Sequence, residues 1–307
     1  MEVTIWTWAG FIAFVLLMLA LDLGIFNRKH KEISIRSALL WSLVWIGLAM
    51  IFNLGIYAFL GKAKAVEFLT GYVIEKSLSI DNIFVFIMVF GYFNIPSKYQ
   101  HKVLFWGIIG ALLMRAVFIF AGVALITRFH WIIYIFGAFL IFTGIKMLTQ
   151  EDKALEPDKN PLVRLFKKFM PVTDKLYEEN FFVRINHKNY ATPLFVVLLL
   201  IEFTDLIFAV DSIPAILAIT SDSFIVFTSN VFAILGLRSL YFALAGITKY
   251  FRFLKYGLSV ILMFVGIKMC IVHWYKLPTL LSLGIIVSIL LISVLASVII
   301  KPKDNTV

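Results

Sequence analysis

The chain has 307 residues, of which 62% are hydrophobic and 15% charged, and its mean hydropathy is +0.97. Soluble globular domains carry roughly 45–50% apolar and about 25% charged residues, so this composition excludes a soluble protein. The net charge of +10 would also suit a nucleic-acid partner, and that reading has to be judged by where the basic residues lie.

The apolar residues form nine blocks, each close to the length that crosses a hydrocarbon core of roughly 30 Å. The blocks are approximately 5–26, 37–60, 66–92, 103–126, 130–148, 191–219, 223–246, 254–274 and 279–300. Only helices satisfy their backbone hydrogen bonds in lipid at these lengths, so we predict an all-α polytopic membrane protein with about nine transmembrane helices. The flanks of the first block, MEVT and RKHK, predict a retained helix with its N-terminus outside, which leaves the C-terminus inside.

The basic residues are distributed very unequally between the two sides that this topology predicts. Nineteen Lys and Arg fall on the side predicted to be cytoplasmic and four on the other. The cytoplasmic segments are 27–36, 93–102, 149–190, 247–256 and 301–307. Cytoplasmic loops are expected to carry this excess, so the positive charge indicates orientation in a cell inner (plasma) membrane and not a nucleic-acid partner.

Polar motifs occur twice, in the same order, on either side of the polar segment 149–190. The first set is EKSLSIDNIFVF (75–86), RAVFIFAG (115–122) and FTGIKM (142–147), and the second is DLIFAVDSIPAI (205–216), RSLYFALAG (238–246) and FVGIKM (264–269). We therefore predict two three-helix repeats, 66–148 and 191–274, within one transmembrane domain. Two further helices (5–60) precede the repeats and one (279–300) follows them.

An odd number of crossings in each unit inverts the second copy relative to the first. This is the inverted-repeat architecture of secondary transporters, and it would relate Asp81 and Asp211 by a pseudo-two-fold axis in the membrane plane. The segment 149–190 is predicted to be a solvated cytoplasmic linker, with one interfacial helix around LVRLFKKF, and it offers a place for a cytoplasmic partner.

Apart from Glu67 and Lys255, which lie at the ends of their blocks, eleven charged residues fall inside the apolar blocks. They are Asp22, Glu75, Lys76, Asp81, Arg115, Lys146, Glu202, Asp205, Asp211, Arg238 and Lys268. Each costs about 2.5–3.5 kcal/mol at the bilayer centre, whereas the total stability of a protein is only about 5–15 kcal/mol. These groups must therefore face one another, water or a ligand. We interpret Arg115, Lys146, Arg238 and Lys268 as counter-ions or gating residues, and the alternative is that the acids serve only to pair with them.

Helix geometry limits which acids can meet. At 100° per residue, Glu202 and Asp205 lie about 60° apart on one face, whereas Asp205 and Asp211 lie about 120° apart. Pro214 follows Asp211 by three residues, and its ring would clash with the carbonyl of Val210. We therefore predict a break or kink near Asp211, where freed carbonyls could coordinate a cation.

The side chains available for coordination in these helices are mainly oxygen donors. Cys270 is the only cysteine in the chain, and all five histidines fall at membrane boundaries or in loops. Carboxylate, hydroxyl and amide oxygens suit hard cations such as Mn²⁺, Ca²⁺ and Mg²⁺. Clustered carboxylates also favour protonation of one another, so protons are a candidate exchanged species.

The motifs EKSLSIDNIFVF and EFTDLIFAVDSIPAI, with LDLGIFNRK at 21–29, resemble the TerC family, named for tellurium resistance, and especially its pH-responsive Alx-type members. The resemblance covers nearly the whole chain and implies Mn²⁺ export. It also implies metal-binding residues at matching motif positions: Glu75, Asp81, Asn82, Glu202, Asp205, Asp211, Ser212 and, as a further candidate, Asp22. Tellurite is an oxyanion and a poor ligand for carboxylates, so the resistance is expected to be indirect.

Three classes of function compete for this sequence. A divalent-cation exporter working by alternating access accounts for the acidic repeat and needs no permanently bound cofactor. A membrane assembly or stress-response scaffold leaves that repeat unexplained. An intramembrane aspartyl protease usually carries a Gly-x-Gly-Asp motif, and the chain contains no Gly-Asp dipeptide. We therefore expect a transporter and not an enzyme.

Overall fold

The computed structural model describes residues 4–26, 35–149, 166, 168, 170–173, 175–185, 187–245, 253–275 and 277–299. Ten helices occur in these ranges. They are α1 (Ile5–Phe26), α2 (Ile35–Leu60), α3 (Lys62–Tyr92), α4 (Ser97–Arg128), α5 (Ile132–Thr149), α6 (Pro193–Leu217), α7 (Ser223–Leu235), α8 (Leu237–Leu244), α9 (Leu254–Ile271) and α10 (Thr279–Ile299). Each of the nine predicted blocks coincides with a helix, and the seventh is divided into α7 and α8.

The helices confirm an all-α polytopic membrane protein. Within the described part of the chain, seven spans are long and apolar enough to cross a membrane. They are α2 from Arg36, α4, α5, α6, α7 together with α8, α9, and α10. Helix α3 is not among the seven because charged residues, including Glu75 and Lys76, interrupt its apolar sequence. The number of nine crossings, the repeats and the sides of the two termini stay predictions.

Of the predicted break or kink near Asp211, the break is wrong, and the kink stays a prediction. Helix α6 is continuous from Pro193 to Leu217 and contains Pro214 within it. The carbonyl of Val210 loses its N–H partner at position 214, and the helix nevertheless continues for three more residues. The discontinuity lies instead at Gly236, which separates α7 from α8. The sequence analysis missed this break.

The polar segment contains a short antiparallel hairpin that the sequence analysis also missed. Strands β1 (Phe182–Ile185) and β2 (Lys188–Ala191) pair through a two-residue turn in which His187 has φ 63°. A positive φ is what tight hairpin turns require. Lys102 at the start of α4 donates to the carbonyl of Glu179 at 2.7 Å, which ties this segment to the helices. The predicted interfacial helix around LVRLFKKF falls outside the described residues except for positions 166 and 168.

Helices α3, α4, α6 and α7 pack together at the centre of the molecule. Helix α3 contacts α2, α6, α7 and α10, and α4 contacts α6 and α7. Large apolar side chains on α1, α2 and α10, such as Leu16, Leu54 and Leu291, are exposed. The outer helices therefore present apolar surfaces suited to lipid, and the buried charged residues Glu75, Arg115 and Asp205 lie in the central four helices.

Helices α5 and α9 pack backbone against backbone through glycine. A Cβ on Gly266 would lie 2.6 Å from the carbonyl oxygen of Gly137, and a Cβ on Gly144 would lie 2.8 Å from that of Ser259. Real Cβ atoms do not approach backbone this closely. Small residues at such crossings let transmembrane helices gain van der Waals contact without a hydrophobic driving force.

Candidate functional site

Six buried polar side chains from four helices meet at the centre of the bundle. We refer to them as the Arg115 cluster: Glu75 and Asn82 of α3, Arg115 of α4, Asp205 and Ser212 of α6, and Asn230 of α7. None of them is more than 3% exposed. The cluster joins the two predicted repeats, because α3 and α4 belong to the first and α6 and α7 to the second.

Arg115 is the centre of the cluster and pairs with both carboxylates. Its Nε donates to Asp205 Oδ2 at 3.2 Å and its Nη2 to Asp205 Oδ1 at 2.9 Å, a two-pronged contact. Its Nη1 donates to Glu75 Oε1. Guanidinium–carboxylate pairs of this kind fix orientation as well as charge.

Amide and hydroxyl groups complete the cluster. Asn82 donates to Asp205 Oδ1 and Asn230 donates to Glu75 Oε2, both at 3.1 Å. Arg115 Nη1 also lies 3.4 Å from Ser212 Oγ and from Asn230 Oδ1. Each carboxylate therefore has one amide donor in addition to the guanidinium, which is the degree of satisfaction that buried charge requires.

Two buried oxygens of α3, one of which belongs to the Arg115 cluster, are unsatisfied. The Oδ1 atom of Asn82 and the Oγ atom of Ser79 have no hydrogen-bond partner among the described residues. Both side chains are fully buried, and Ser79 lies one turn before Asn82 on α3. Buried acceptors normally have a partner, so these atoms are available to a ligand or an ordered water.

The spacing of the motifs explains why these positions meet. Glu75 and Asn82 are seven residues apart, and so are Asp205 and Ser212. Seven residues bring a helix back to within about 20° of the same direction. Each motif therefore presents an acid and a smaller polar side chain two turns apart on one face. The sequence analysis compared acids only with other acids and did not use this spacing.

Two of the predicted metal-binding acids lie outside the Arg115 cluster. Glu202 is half-buried and its carboxylate lies against Gly110 of α4. Asp211 is also half-buried, and its Oδ1 accepts a hydrogen bond from Thr143 of α5 at 3.1 Å. This arrangement agrees with the predicted angle of about 120° between Asp205 and Asp211, because the two side chains contact different helices. The side chains of Asp81 and Asp22 lie outside the described part of the structure.

The predicted counter-ions occupy different surroundings. Arg115 lies in the cluster, whereas Lys146 is exposed on α5 and Lys268 is buried in α9. Arg238 is buried and lines a narrow pocket together with Asp205. Gly107 and Ala111 of α4 form one wall of this pocket, which has room for about one water molecule. Arg115 forms ion pairs with two of the predicted acids, Glu75 and Asp205.

Three functional candidates were given no specific role in the sequence analysis. Asn230 is the one amide in the apolar sequence of α7, and a polar residue in such a helix is itself a signal. Thr143 contacts Asp211, as described above. Lys76, next to Glu75, donates to the carbonyl of Ala233 at 3.1 Å, near the break at Gly236. Lys76 thereby places a cation at the C-terminal end of α7, where carbonyls lack helical partners.

The cluster has the oxygen donors of a cation site, and the guanidinium of Arg115 already supplies one positive charge. Two carboxylates and one guanidinium give it a formal charge of −1. Its remaining donors are amide and hydroxyl oxygens, which hard cations accept. No three His, Cys, Asp or Glu side chains converge within the described residues. Among the side chains that the structure describes, the assembled donors are therefore Glu75 and Asp205 with their neutral neighbours.

Comparison with known proteins places the chain in a defined group. The model of the integral membrane protein TerC family matches residues 60–305. An uncharacterised membrane protein of Myxococcus xanthus, STKORF319, is 52% identical over 95% of this chain and 92% of its own length. A protein of Escherichia coli (strain K12), described as a candidate membrane-bound redox modulator, Alx, is 51% identical over 93% of this chain and 92% of its own.

A more distant relative, an uncharacterised membrane protein of Rickettsia bellii, is 45% identical over 96% of this chain and 98% of its own. No solved structure matches the chain. The family model covers more than half of the chain, and the relatives are similar over nearly their full lengths. The chain is therefore a member of the TerC family of integral membrane proteins.

Proposed function

We propose that this protein is a divalent-cation transporter of the cell inner membrane, with Mn²⁺ efflux as its principal activity. The observation that carries the proposal is the Arg115 cluster, in which two buried carboxylates from different helices meet at the centre of the bundle. Ionisable groups at such depth mark substrate and ion pathways in membrane proteins. If the buried polar residues were purely structural, every buried oxygen should have a hydrogen-bond partner, whereas Ser79 Oγ and Asn82 Oδ1 have none among the described residues.

The choice of a hard cation follows from the donor atoms. Every acceptor in the cluster is an oxygen, from carboxylate, amide or hydroxyl groups. Carboxylate and carbonyl oxygens suit Mn²⁺, Mg²⁺ and Ca²⁺, whereas Zn²⁺ and Cu⁺ favour imidazole and thiolate. Ca²⁺ and Mg²⁺ are the alternative substrates, and protons are the proposed coupling ion.

The packing of α5 on α9 supports the inverted-repeat interpretation. The GIKM motifs relate Gly144 to Gly266 by a shift of 122 positions, and the same shift relates Gly137 to Ser259. Gly144 contacts Ser259. Exchanging each of these residues for its counterpart in the other repeat gives the contact of Gly266 with Gly137. Both contacts are present. Such reciprocity is what a two-fold relation produces, and it favours alternating access by movement of one repeat against the other.

The topology in this proposal is nine crossings, with the N-terminus outside and the C-terminus in the cytoplasm. The Lys and Arg excess of the loops supports this orientation. The E. coli relative is described as a candidate membrane-bound redox modulator. This chain has a single cysteine, so we propose that a redox role, where it exists, is a consequence of metal homeostasis and not of thiol exchange within the chain.

Reconstitution of the purified chain into liposomes tests the proposal. We expect Mn²⁺ flux above that of protein-free liposomes, weaker flux of Ca²⁺ and Mg²⁺, and a change in Mn²⁺ flux when a pH gradient is imposed. Asp81→Asn and Asp211→Asn are each expected to abolish Mn²⁺ flux. Intact flux in both variants would exclude the acidic helices as the pathway. A scaffold without transport predicts no flux at all, together with unchanged metal sensitivity of a deletion strain.

Gly110→Ala provides a separate test of Glu202. A side chain at position 110 needs the space that the Glu202 carboxylate fills, and only the flexible end of Glu202 has to move. We therefore expect a normally folded protein, with thermal unfolding unchanged, in which Mn²⁺ flux falls as it does in Glu202→Gln. Gly91→Ala is the control, because a Cβ there has nothing within 4 Å. Wild-type flux in Gly110→Ala would place Glu202 outside the transport pathway.

A further inference from the structure

Arg115 occupies the position in which a bound cation would be coordinated. Its three guanidinium nitrogens face five oxygens, which belong to four side chains. These oxygens are Glu75 Oε1, Asp205 Oδ1 and Oδ2, Ser212 Oγ and Asn230 Oδ1. A hard divalent cation takes six or more oxygen ligands, and it would draw on the same atoms together with the unsatisfied Oδ1 of Asn82.

The guanidinium and a metal ion cannot share these oxygens. Both Asp205 oxygens accept a hydrogen bond from Arg115, and its third contact is with Glu75 Oε1. A metal ion at about 2.0–2.6 Å from the carboxylates would have to lie where the N–H groups now point. Two positive groups so close in a medium of low dielectric constant would also repel each other strongly.

We propose that Arg115 is a tethered competitor of the substrate: it withdraws when a divalent cation loads and returns to release it. This inference rests on the transport function proposed above and assigns a specific step to a residue that is not a metal ligand. The α4 face toward the N-terminus from Arg115 carries Ala111 and Gly107, which line the pocket that Asp205 also lines. Helical side chains lean toward the N-terminus, so this small-residue wall lies on that side of Arg115. The pocket has room for about one water molecule, so the guanidinium fits there only when the pocket widens.

The charge balance makes Arg115 a determinant of selectivity. With Arg115 in place the two carboxylates retain a net charge of −1. Replacing Arg115 by Na⁺ or K⁺ leaves the same −1, whereas replacing it by a divalent cation neutralises the pair. A monovalent ion therefore gains no charge compensation by displacing the guanidinium, and a divalent ion does. This advantage is largest where the site is buried, as it is in the Arg115 cluster.

The test is to separate binding from turnover in Arg115→Gln. Binding to the purified full-length chain is measured from the electron paramagnetic resonance signal of free Mn²⁺, and flux is measured in liposomes. We expect the Kd for Mn²⁺ to fall by at least roughly tenfold, since a factor of ten needs only about 1.4 kcal/mol. We also expect flux to fall by a similar factor because release slows, and K⁺ to compete with Mn²⁺ as it does not in wild type.

Two further variants keep the test decisive. Lys102→Gln removes a cation from the same helix, thirteen residues or roughly 20 Å away, and is expected to change neither Kd nor flux. Arg115→Lys keeps the charge but loses the two-pronged contact, and it is expected to bind Mn²⁺ more tightly than wild type with slower flux. If Arg115→Gln does not give a monodisperse helical protein, Arg115→Lys decides the question.

The two proposals fail in different ways. A wild-type chain that neither binds nor transports Mn²⁺ would overturn the transport function and this inference together. A wild-type chain that transports Mn²⁺, with Arg115 variants that bind it no more tightly, would overturn this inference alone. Tighter binding combined with slower flux is the result that supports it, because loss of a merely structural ion pair would weaken both.

Discussion

Asp205→Asn is expected to reduce Mn²⁺ flux to the level of protein-free liposomes. Asp205 accepts from Arg115 through both oxygens and from Asn82, so it links three helices as well as supplying charge. The amide keeps the shape but presents one acceptor and no charge, and we expect the free energy of unfolding to fall by roughly 1.5–3 kcal/mol. Flux in liposomes and thermal unfolding in detergent measure the two effects separately.

Asp222→Asn is the matched control for this substitution. Asp222 caps the N-terminus of α7, accepting from the backbone N–H groups of Phe224 and Ile225, and pairs with Lys64 at 2.9 Å. Asparagine caps helices about as well as aspartate, so flux and stability should stay near those of wild type. Substantial flux in Asp205→Asn would contradict the assignment of the Arg115 cluster as the substrate site.

Gly266→Ala is expected to destabilise the protein by about 1–3 kcal/mol, the usual effect of overpacking. The added Cβ would lie 2.6 Å from Gly137 O and 3.0 Å from the backbone nitrogen of Ile141. Backbone atoms cannot turn aside as a side chain can, so α5 and α9 must separate along their whole contact. Thermal or denaturant unfolding in detergent measures the loss.

Gly284→Ala provides the comparison on α10, where a Cβ has nothing within 4 Å. Alanine has the higher helix propensity, so this variant should be as stable as wild type or slightly more stable. If Gly266→Ala and Gly284→Ala unfolded at the same temperature, the close approach of α5 and α9 would have no energetic significance.

The sequence predicted the helices and the family well because both depend on local patterns. Apolar blocks of membrane-spanning length have one regular solution in lipid, so their positions agree with the helices found. The motifs EKSLSIDNIFVF and EFTDLIFAVDSIPAI were specific enough to indicate the TerC family, and the family match confirms it. The cost of buried charge also predicted, correctly for Glu75 and Asp205, that buried acids would face partners.

The failures have physical reasons as well. Pro214 predicted a break or kink, but α6 continues without a break to Leu217, although the carbonyl of Val210 loses its N–H partner at position 214. The actual break at Gly236 was harder to predict from the sequence, because glycine is tolerated inside helices and its effect on a helix depends on the surrounding residues. At Gly236 these residues are Trp45 and Lys76, and a Cβ at position 236 would lie 3.0 Å from an atom of each.

The sequence by itself determined that this is a helical membrane protein of the TerC family with costly acids in two related motifs. Only the tertiary structure decided which acids meet. Glu75 and Asp205 converge on Arg115, while Glu202 turns to Gly110 and Asp211 to Thr143. Direction around a helix follows from spacing, but the partner in that direction depends on how helices far apart in the sequence pack. Asn230 joins Glu75 across 155 positions, a distance over which no local pattern carries information.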